Sequence, residues 1–214
     1  MALRVAVFAS GNGSNFQAIV DAVQAGKLDV TIELLVCDKP QAPVVARAAG
    51  AGVEAFVFKP KDYASREAYE QEILAKLQEK QVELVVLAGY MRIITHVLVE
   101  PFAGRMINIH PSLLPSFPGV NAIDQALDYG VKVTGVTVHF VDGGLDSGPI
   151  IAQRALDILP DDTADSLAER IHRVEQELYP QVISWIAADK VSIDGRRVTI
   201  ESRASSIRTV DDAK

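Results

Sequence analysis

The chain has 214 residues, 49% of them hydrophobic, and a formal net charge of −7 at pH 7. This length predicts one large domain or two small ones, and the negative charge argues against a protein that binds the phosphate backbone of nucleic acids. The single cysteine, Cys37, allows neither an internal disulfide nor a cysteine-rich zinc site. No apolar stretch is long enough to cross a bilayer and the first is too short for a signal peptide, so we expect a cytoplasmic protein without a membrane partner.

Strands and helices are predicted to alternate through the first part of the chain. Short apolar runs predict strands at residues 3–9, 31–36, 55–58, 84–88 and 106–109. Apolar residues at helical spacing predict helices over residues 16–23, 43–51 and 122–129, and another after an N-cap at Ser65. Because strands and helices alternate, we expect a parallel, doubly wound sheet with right-handed crossovers.

The second part of the chain changes this pattern. Residues 133–141 and 150–156 read as strands with no helix between them, so at least one should be antiparallel. A long amphipathic helix is predicted over 167–188, followed by a hairpin in which Asp194-Gly195 indicates a type I′ turn. The predicted fold is therefore α/β, a doubly wound and mostly parallel Rossmann-like sheet with flanking helices and a C-terminal hairpin. We expect a single domain over residues 1–200 and a frayed polar tail over 201–214.

A glycine-rich loop, SGNGSN at residues 10–15, follows the first predicted strand and opens a helix. This arrangement points free backbone N–H groups at an anion. A dinucleotide fingerprint is excluded because Phe16 occupies the position of its third glycine, and no lysine follows to complete a Walker A loop. What remains is a small cradle for one phosphate at Gly13, with the Ser14 hydroxyl as an extra donor, or only a tight turn between strand and helix.

Two polar side chains end the strand at residues 106–109. Asn108 and His110 lie two residues apart, so they should project from the same face where three prolines force the chain out of the sheet. An amide beside an imidazole can stabilise an oxyanion and move a proton, although an N-cap Asn and a turn His would explain the same residues. Asp146 lies in a glycine-rich loop after the strand at 133–141, where aspartate usually makes only a turn.

Together these two segments, NIHPSLLP at 108–115 and LDSG at 145–148, resemble the folate-dependent formyltransferase family, and the similarity covers about residues 5–180. The resemblance implies that Asn108, His110 and Asp146 form the catalytic set. It further implies direct transfer, in which an amine attacks the formyl carbon of 10-formyltetrahydrofolate. In that scheme Asn108 donates a hydrogen bond to the oxyanion and His110 passes a proton to the departing folate nitrogen.

The SGNGSN loop is similar to that of the branch of the family that formylates glycinamide ribonucleotide in purine biosynthesis. That resemblance implies that Gly13, Ser14 and Asn15 hold the phosphate of the substrate and that Glu175 binds its ribose hydroxyls. The folate-binding residues that it implies are Arg66, Met91, Arg92, Ile93, Ile94 and Asn108. Without the family, residues 91–94 would be an ordinary strand-to-helix loop and Arg66 a solvated residue at a helix start.

The expected partners are two small molecules, glycinamide ribonucleotide and 10-formyltetrahydrofolate, the latter as co-substrate. No histidine has a partner at metal-ligand spacing, so we expect no metal, and His139 either supports the Asp146 loop or is a buried core residue. The protein should be a monomer or homodimer. Sister enzymes that formylate methionyl-tRNA carry a further C-terminal barrel, and formyltetrahydrofolate hydrolases carry an N-terminal regulatory domain, neither of which this sequence shows. The alternatives left open are a hydrolase that releases formate and a non-catalytic folate or nucleotide binder.

Overall fold

The computed structural model of the chain describes residues 2–201. Its strands are β1 (Leu3–Phe8), β2 (Val30–Cys37), β3 (Ala55–Val57), β4 (Leu84–Leu87), β5 (Met106–His110), β6 (Val133–Phe140), β7 (Ile150–Asp157), β8 (Val191–Asp194) and β9 (Arg197–Ile200). Its helices are α1 (Ser14–Gln24), α2 (Pro43–Gly50), α3 (Arg66–Glu79), α4 (His96–Val99), α5 (Ala122–Tyr129) and α6 (Ala164–Ala187). The frayed tail predicted for 201–214 lies outside the described residues beyond Glu201.

Seven strands form one sheet in the order β3-β2-β1-β4-β5-β6-β7. The first five are parallel, whereas β6 runs antiparallel to both of its neighbours. This confirms the predicted α/β fold, including the antiparallel strand inferred from the missing helix between β6 and β7. The chain order reverses between β1 and β4, and such switch points open a crevice at the carboxyl ends of the strands.

Helices cover both faces of the sheet, as the continuously apolar strands require. Alternate residues of β1 face opposite sides: Val5 and Val7 pack in the core under α1, α2 and α6, while Ala6 and Phe8 pack under α3. The face of α3 predicted from helical spacing is buried at Tyr69, Ile73 and Leu77. None of the helices within residues 2–201 combines the length and apolarity needed to cross a bilayer.

Two predicted details were wrong. Helix α6 begins three residues earlier than predicted, because the Thr163 side chain caps the backbone N–H of Ser166 and the Ser166 side chain caps Thr163 in return. In the hairpin Asp194 pairs with Arg197, so the two-residue turn is Gly195-Arg196 instead of Asp194-Gly195. Only Gly195 of that pair has a positive φ, as in a type II′ turn, whereas type I′ requires both.

Candidate active site

A cavity of about 600 Å³ opens above the carboxyl ends of β1, β4 and β5, at the switch point of the sheet. It is lined by the glycine-rich loop, by the loop after β4, by the end of β5 and the loop after β6, and by two residues of α6. Every predicted site residue except Arg66 lines this one cavity: Gly13, Ser14, Asn15, Met91, Arg92, Ile93, Ile94, Asn108, His110, Asp146 and Glu175.

The pairing of β5 with β6 sets the position of Asn108. Asn108 lies directly opposite His139 on the neighbouring strand, and its Nδ2 is 3.2 Å from His139 Nε2. His139 Nδ1 donates to the Phe140 carbonyl at 2.8 Å, so in the neutral ring Nε2 is the acceptor for the Asn108 amide. His139 is only 2% exposed. Both alternatives predicted for it therefore apply: it is a buried residue, and it also contacts the proposed catalytic set.

Asp146 joins the loop after β6 to the end of β5. Its Oδ2 accepts a hydrogen bond from the backbone N–H of Gly119 at 2.7 Å, and its Oδ1 accepts a longer one, 3.4 Å, from Asn108 Nδ2. Burial opposes ionisation of the Asp146 carboxyl, but attraction to His139 and His110 and the bond from Gly119 outweigh it and lower its pKa. Asp146 is therefore a carboxylate at neutral pH.

The loop after β5 holds His110. His110 Nε2 donates to the Phe117 carbonyl at 2.9 Å, and His110 Nδ1 lies 3.5 Å from Asp146 Oδ2. A protonated His110 therefore has one acceptor at each ring nitrogen. Phe117, whose carbonyl accepts this hydrogen bond, has a positive φ of 53°, which is uncommon for a bulky residue.

Gly148 of the LDSG segment is required by close packing. A Cβ at this position would lie 1.7 Å from the carbonyl oxygen of Phe140. That is the same carbonyl that orients His139, so the glycine lets the Asp146 loop approach β6 at the point where the histidine is fixed.

The glycine-rich loop leaves the start of α1 uncapped. Gly13 is the N-cap residue with a φ of 78°, and no side chain within residues 2–201 bonds the first backbone N–H groups of the helix. These free donors and the helix dipole favour an anion. Behind the loop, Arg47 of α2 donates to the Asn12 backbone carbonyl and to its side-chain oxygen, at 2.8 and 2.9 Å.

Helix α6 contributes a buried carboxyl next to this loop. Asn15 Nδ2 donates to Glu175 Oε2 at 3.0 Å, and burial raises the pKa of Glu175. Asn15 Oδ1 is buried without a hydrogen-bond partner in the described residues. The side chain of Asn15 thus faces α6, and only its backbone N–H lies among the free donors at the start of α1. His172, one turn before Glu175, lines the same cavity.

We expect Gly13→Ala to lower the free energy of unfolding by about 2–4 kcal/mol, which a urea titration would measure. A Cβ there would lie 2.4 Å from Val44 Cγ2, and the positive φ adds its own strain. Gly11→Ala is the matched control in the same loop, because a Cβ added at Gly11 would meet no atom of the described residues within 4 Å beyond its chain neighbours. Equal losses for the two variants would contradict this explanation.

Residues 91–94 form the wall of the cavity after β4. Met91 and Ile93 are 68% and 67% exposed, so this loop presents apolar side chains that the core does not bury. Arg92 Nε forms an ion pair with the buried Asp38 at 2.7 Å. Arg66 lies outside the cavity, exposed in the first turn of α3.

Three groups around the predicted set were missed by sequence reasoning or left undecided. The carbonyl of Phe117 and the N–H of Gly119 are backbone groups, and no residue type signals them. His139 could have been found only from its register opposite Asn108. Within residues 2–201, no three His, Cys, Asp or Glu side chains are arranged to hold a metal ion.

A family model described as formyl transferase matches residues 3–183. The chain belongs to the formyl transferase family. The family predicted from the motifs at 108–115 and 145–148 is thereby confirmed.

Individual formyl transferases resemble the chain over most of its length. A phosphoribosylglycinamide formyltransferase from Bacillus subtilis (strain 168) is 52% identical over 183 residues, which are 86% of this chain and 94% of that protein. The crystal structure of glycinamide ribonucleotide transformylase 1 from Symbiobacterium toebii matches with a TM-score of 0.92 at 43% identity, covering 94% of this chain and 95% of that one. A formyltetrahydrofolate deformylase from Pseudomonas syringae pv. tomato matches with a TM-score of 0.88 at only 25% identity, covering 94% of this chain and 67% of that one.

Proposed function

We propose that this formyl transferase moves the formyl group of 10-formyltetrahydrofolate to the amine of glycinamide ribonucleotide, a step of purine biosynthesis. The observation that carries the proposal is one cavity that joins an uncapped helix N-terminus to Asn108, His110 and Asp146. The helix N-terminus fits a phosphate, and the three side chains fit acyl transfer. The similarity to the Bacillus subtilis relative supports the same substrate.

In the proposed mechanism the amine attacks the formyl carbon and a tetrahedral intermediate forms with a negative oxygen. Asn108 donates a hydrogen bond to this oxyanion, an effect typically worth about 3 kcal/mol or more. Both hydrogens of its amide face protein acceptors, and the longer contact, to Asp146, is the one that an oxyanion would replace. His110 then gives a proton to the folate nitrogen as the carbon–nitrogen bond breaks. The amine nitrogen loses one proton as it becomes the amide, and this proton replaces the one that His110 gave up. Asp146 holds the charged imidazole in place by attraction.

The ribonucleotide would lie along α1 and α6. Its phosphate would meet the free N–H groups of Gly13, Ser14 and Asn15, with the Ser14 hydroxyl as a further donor. The ribose hydroxyls would donate to Glu175 and to Asn15 Oδ1, which accepts no hydrogen bond from the described part of the chain. The folate would lie on the other side, with its pterin against the backbone of Met91, Arg92, Ile93 and Ile94.

Several broader features belong to the same proposal. The reaction needs no metal, because oxyanion stabilisation and proton transfer are supplied by side chains. We propose that residues 1–200 act as one catalytic domain, that residues 201–214 are a polar C-terminal tail, and that the enzyme works in the cytoplasm as a monomer or homodimer.

The decisive experiment follows the loss of 10-formyltetrahydrofolate with and without acceptor. We expect consumption to depend on glycinamide ribonucleotide and to yield one formylated product per folate used. Equal consumption without any amine would instead identify a hydrolase, the activity named for the less similar Pseudomonas structure. No consumption, with folate bound, would identify a binding protein.

Arg66→Ala is expected to raise the KM for the folate about fivefold and to leave that for the ribonucleotide within twofold. The proposed role of Arg66 is to attract the glutamate carboxylate of the folate, which would extend beyond the cavity toward the start of α3. Because Arg66 is exposed, solvent screens this attraction and the effect stays moderate. Steady-state kinetics with each substrate varied in turn measures both KM values, with Lys76→Ala on the same helix as control. Equal losses for both ligands would assign Arg66 another role.

A further inference from the structure

The hydrophobic core anchors only part of the loop over residues 91–94, at Ile94, which is half-buried against the core beneath α3. Two of its side chains, Met91 and Ile93, are mostly exposed, so burial does not determine their position. Hydrogen bonds to neighbouring elements hold Arg92 inside the loop and Thr95 directly after it. The segment that carries Ile93 and Ile94 therefore depends on both of those fixed points.

The first fixed point lies on the β1 and β2 side. The Ser10 hydroxyl accepts a hydrogen bond from the backbone N–H of Met91 at 2.9 Å, and Asp38 accepts one from Arg92 Nε at 2.7 Å. These contacts hold the beginning of the loop and leave its far end to a different element.

The second fixed point is made by one side chain of α3. Both carboxylate oxygens of Glu70 accept a hydrogen bond from the backbone N–H of Thr95, at 3.0 and 3.1 Å. The Oε2 atom also accepts a hydrogen bond from the Thr95 hydroxyl. The same hydroxyl accepts the N–H of Val97 and so caps α4. Glu70 thus fixes the backbone and the side chain of the residue that ends the loop.

Glu70 is 2% exposed although it is a carboxyl group. Burial raises its pKa against the opposing effect of the bonds from Thr95. A buried carboxyl is costly unless it is well hydrogen-bonded, and here all of its side-chain hydrogen bonds within the described residues go to Thr95. The Glu70 carboxyl group therefore makes its hydrogen bonds to a single residue, the one that ends the loop.

We propose that Glu70 is a positioning residue for the folate: it holds the far end of the loop at Thr95, so that the backbone of Ile93 and Ile94 is already arranged to receive the pterin. This inference rests on the proposed function. Glu70 lies outside the residues that line the cavity, and its effect on the folate is through Thr95. Within residues 2–201, Glu70 makes no hydrogen bond to α1 or α6, which form the ribonucleotide side of the cavity.

The test compares Glu70→Ala, Glu70→Gln and the control Glu72→Gln. Glu72 is exposed on the same helix and accepts the Tyr63 hydroxyl, away from the loop. We expect Glu70→Ala to raise the KM for 10-formyltetrahydrofolate at least ~10-fold and to leave that for glycinamide ribonucleotide within twofold. Glu70→Gln keeps one acceptor oxygen, so its KM for the folate should lie between those of the wild type and Glu70→Ala. Glu72→Gln should have the KM values of the wild type. Should Glu70→Ala fail to fold, Glu70→Gln carries the test.

A second measurement does not depend on the reaction. Amide hydrogen exchange of the ligand-free enzyme should become faster at residues 93–97 in Glu70→Ala and stay unchanged in the control, and tetrahydrofolate should bind more weakly by calorimetry. A parallel rise of both KM values, or unchanged exchange at this loop, would overturn the proposal. A wild-type enzyme that formylates no ribonucleotide would refute the proposed function alone, since exchange and tetrahydrofolate binding would still report on Glu70.

Discussion

Asp146→Asn is expected to reduce turnover at least ~100-fold while the protein stays folded, and His110→Ala to have an effect of similar size. Asp146 Oδ2 accepts a hydrogen bond from the backbone N–H of Gly119 at 2.7 Å and lies 3.5 Å from His110 Nδ1. An asparagine cannot supply the negative charge that holds a protonated imidazole. Steady-state kinetics with both substrates saturating would measure the loss, and circular dichroism would establish that the fold is kept.

The double variant gives the sharper result. Because Asp146 acts on the reaction through His110, the double variant should lose far less turnover than the product of the two single losses. Asp128→Asn, an exposed acid on α5, is the control for loss of one negative charge and should leave turnover unchanged. Full additivity of the two single effects would mean that the residues work independently, contrary to the proposed mechanism.

A glycinamide riboside, which lacks the phosphate, is expected to have a KM at least ~100-fold above that of the ribonucleotide. The free N–H groups at the start of α1 are the proposed phosphate site. Hydrogen bonds to a charged group contribute about 1.5–3 kcal/mol each, so the loss of two corresponds to at least this factor. The KM for the folate should change little, since its proposed site is on another loop.

Changing the ligand is a cleaner test than changing Gly13. Gly13 packs directly against Val44, so a larger residue would displace the loop whether or not it binds phosphate. Ser14→Ala is the better protein variant: it should raise the KM for the ribonucleotide about fivefold and leave that for the riboside unchanged. If the riboside serves as well as the ribonucleotide, the loop is only a turn and the choice of substrate loses its main support.

The sequence by itself determined the elements and the family. Apolar runs and helical spacing depend on neighbouring residues, so they placed the seven strands of the main sheet and the helices α2 and α5 within about a residue. The motif that contains Asn108 and His110 was equally visible, because its residues are adjacent in the chain. Helix α6 was misplaced at its start because capping by Thr163 outweighs the apolar pattern that begins at Leu167.

Only the tertiary structure decided which groups surround those motifs. His139 meets Asn108 because two antiparallel strands pair in one register, and Asp146 is held by Gly119 because two loops approach each other. Glu70 reads in the sequence as one more acid on an amphipathic helix, and its contact with Thr95 joins residues 25 positions apart. Such contacts depend on how distant segments pack, and a local pattern of residue types carries no information about them.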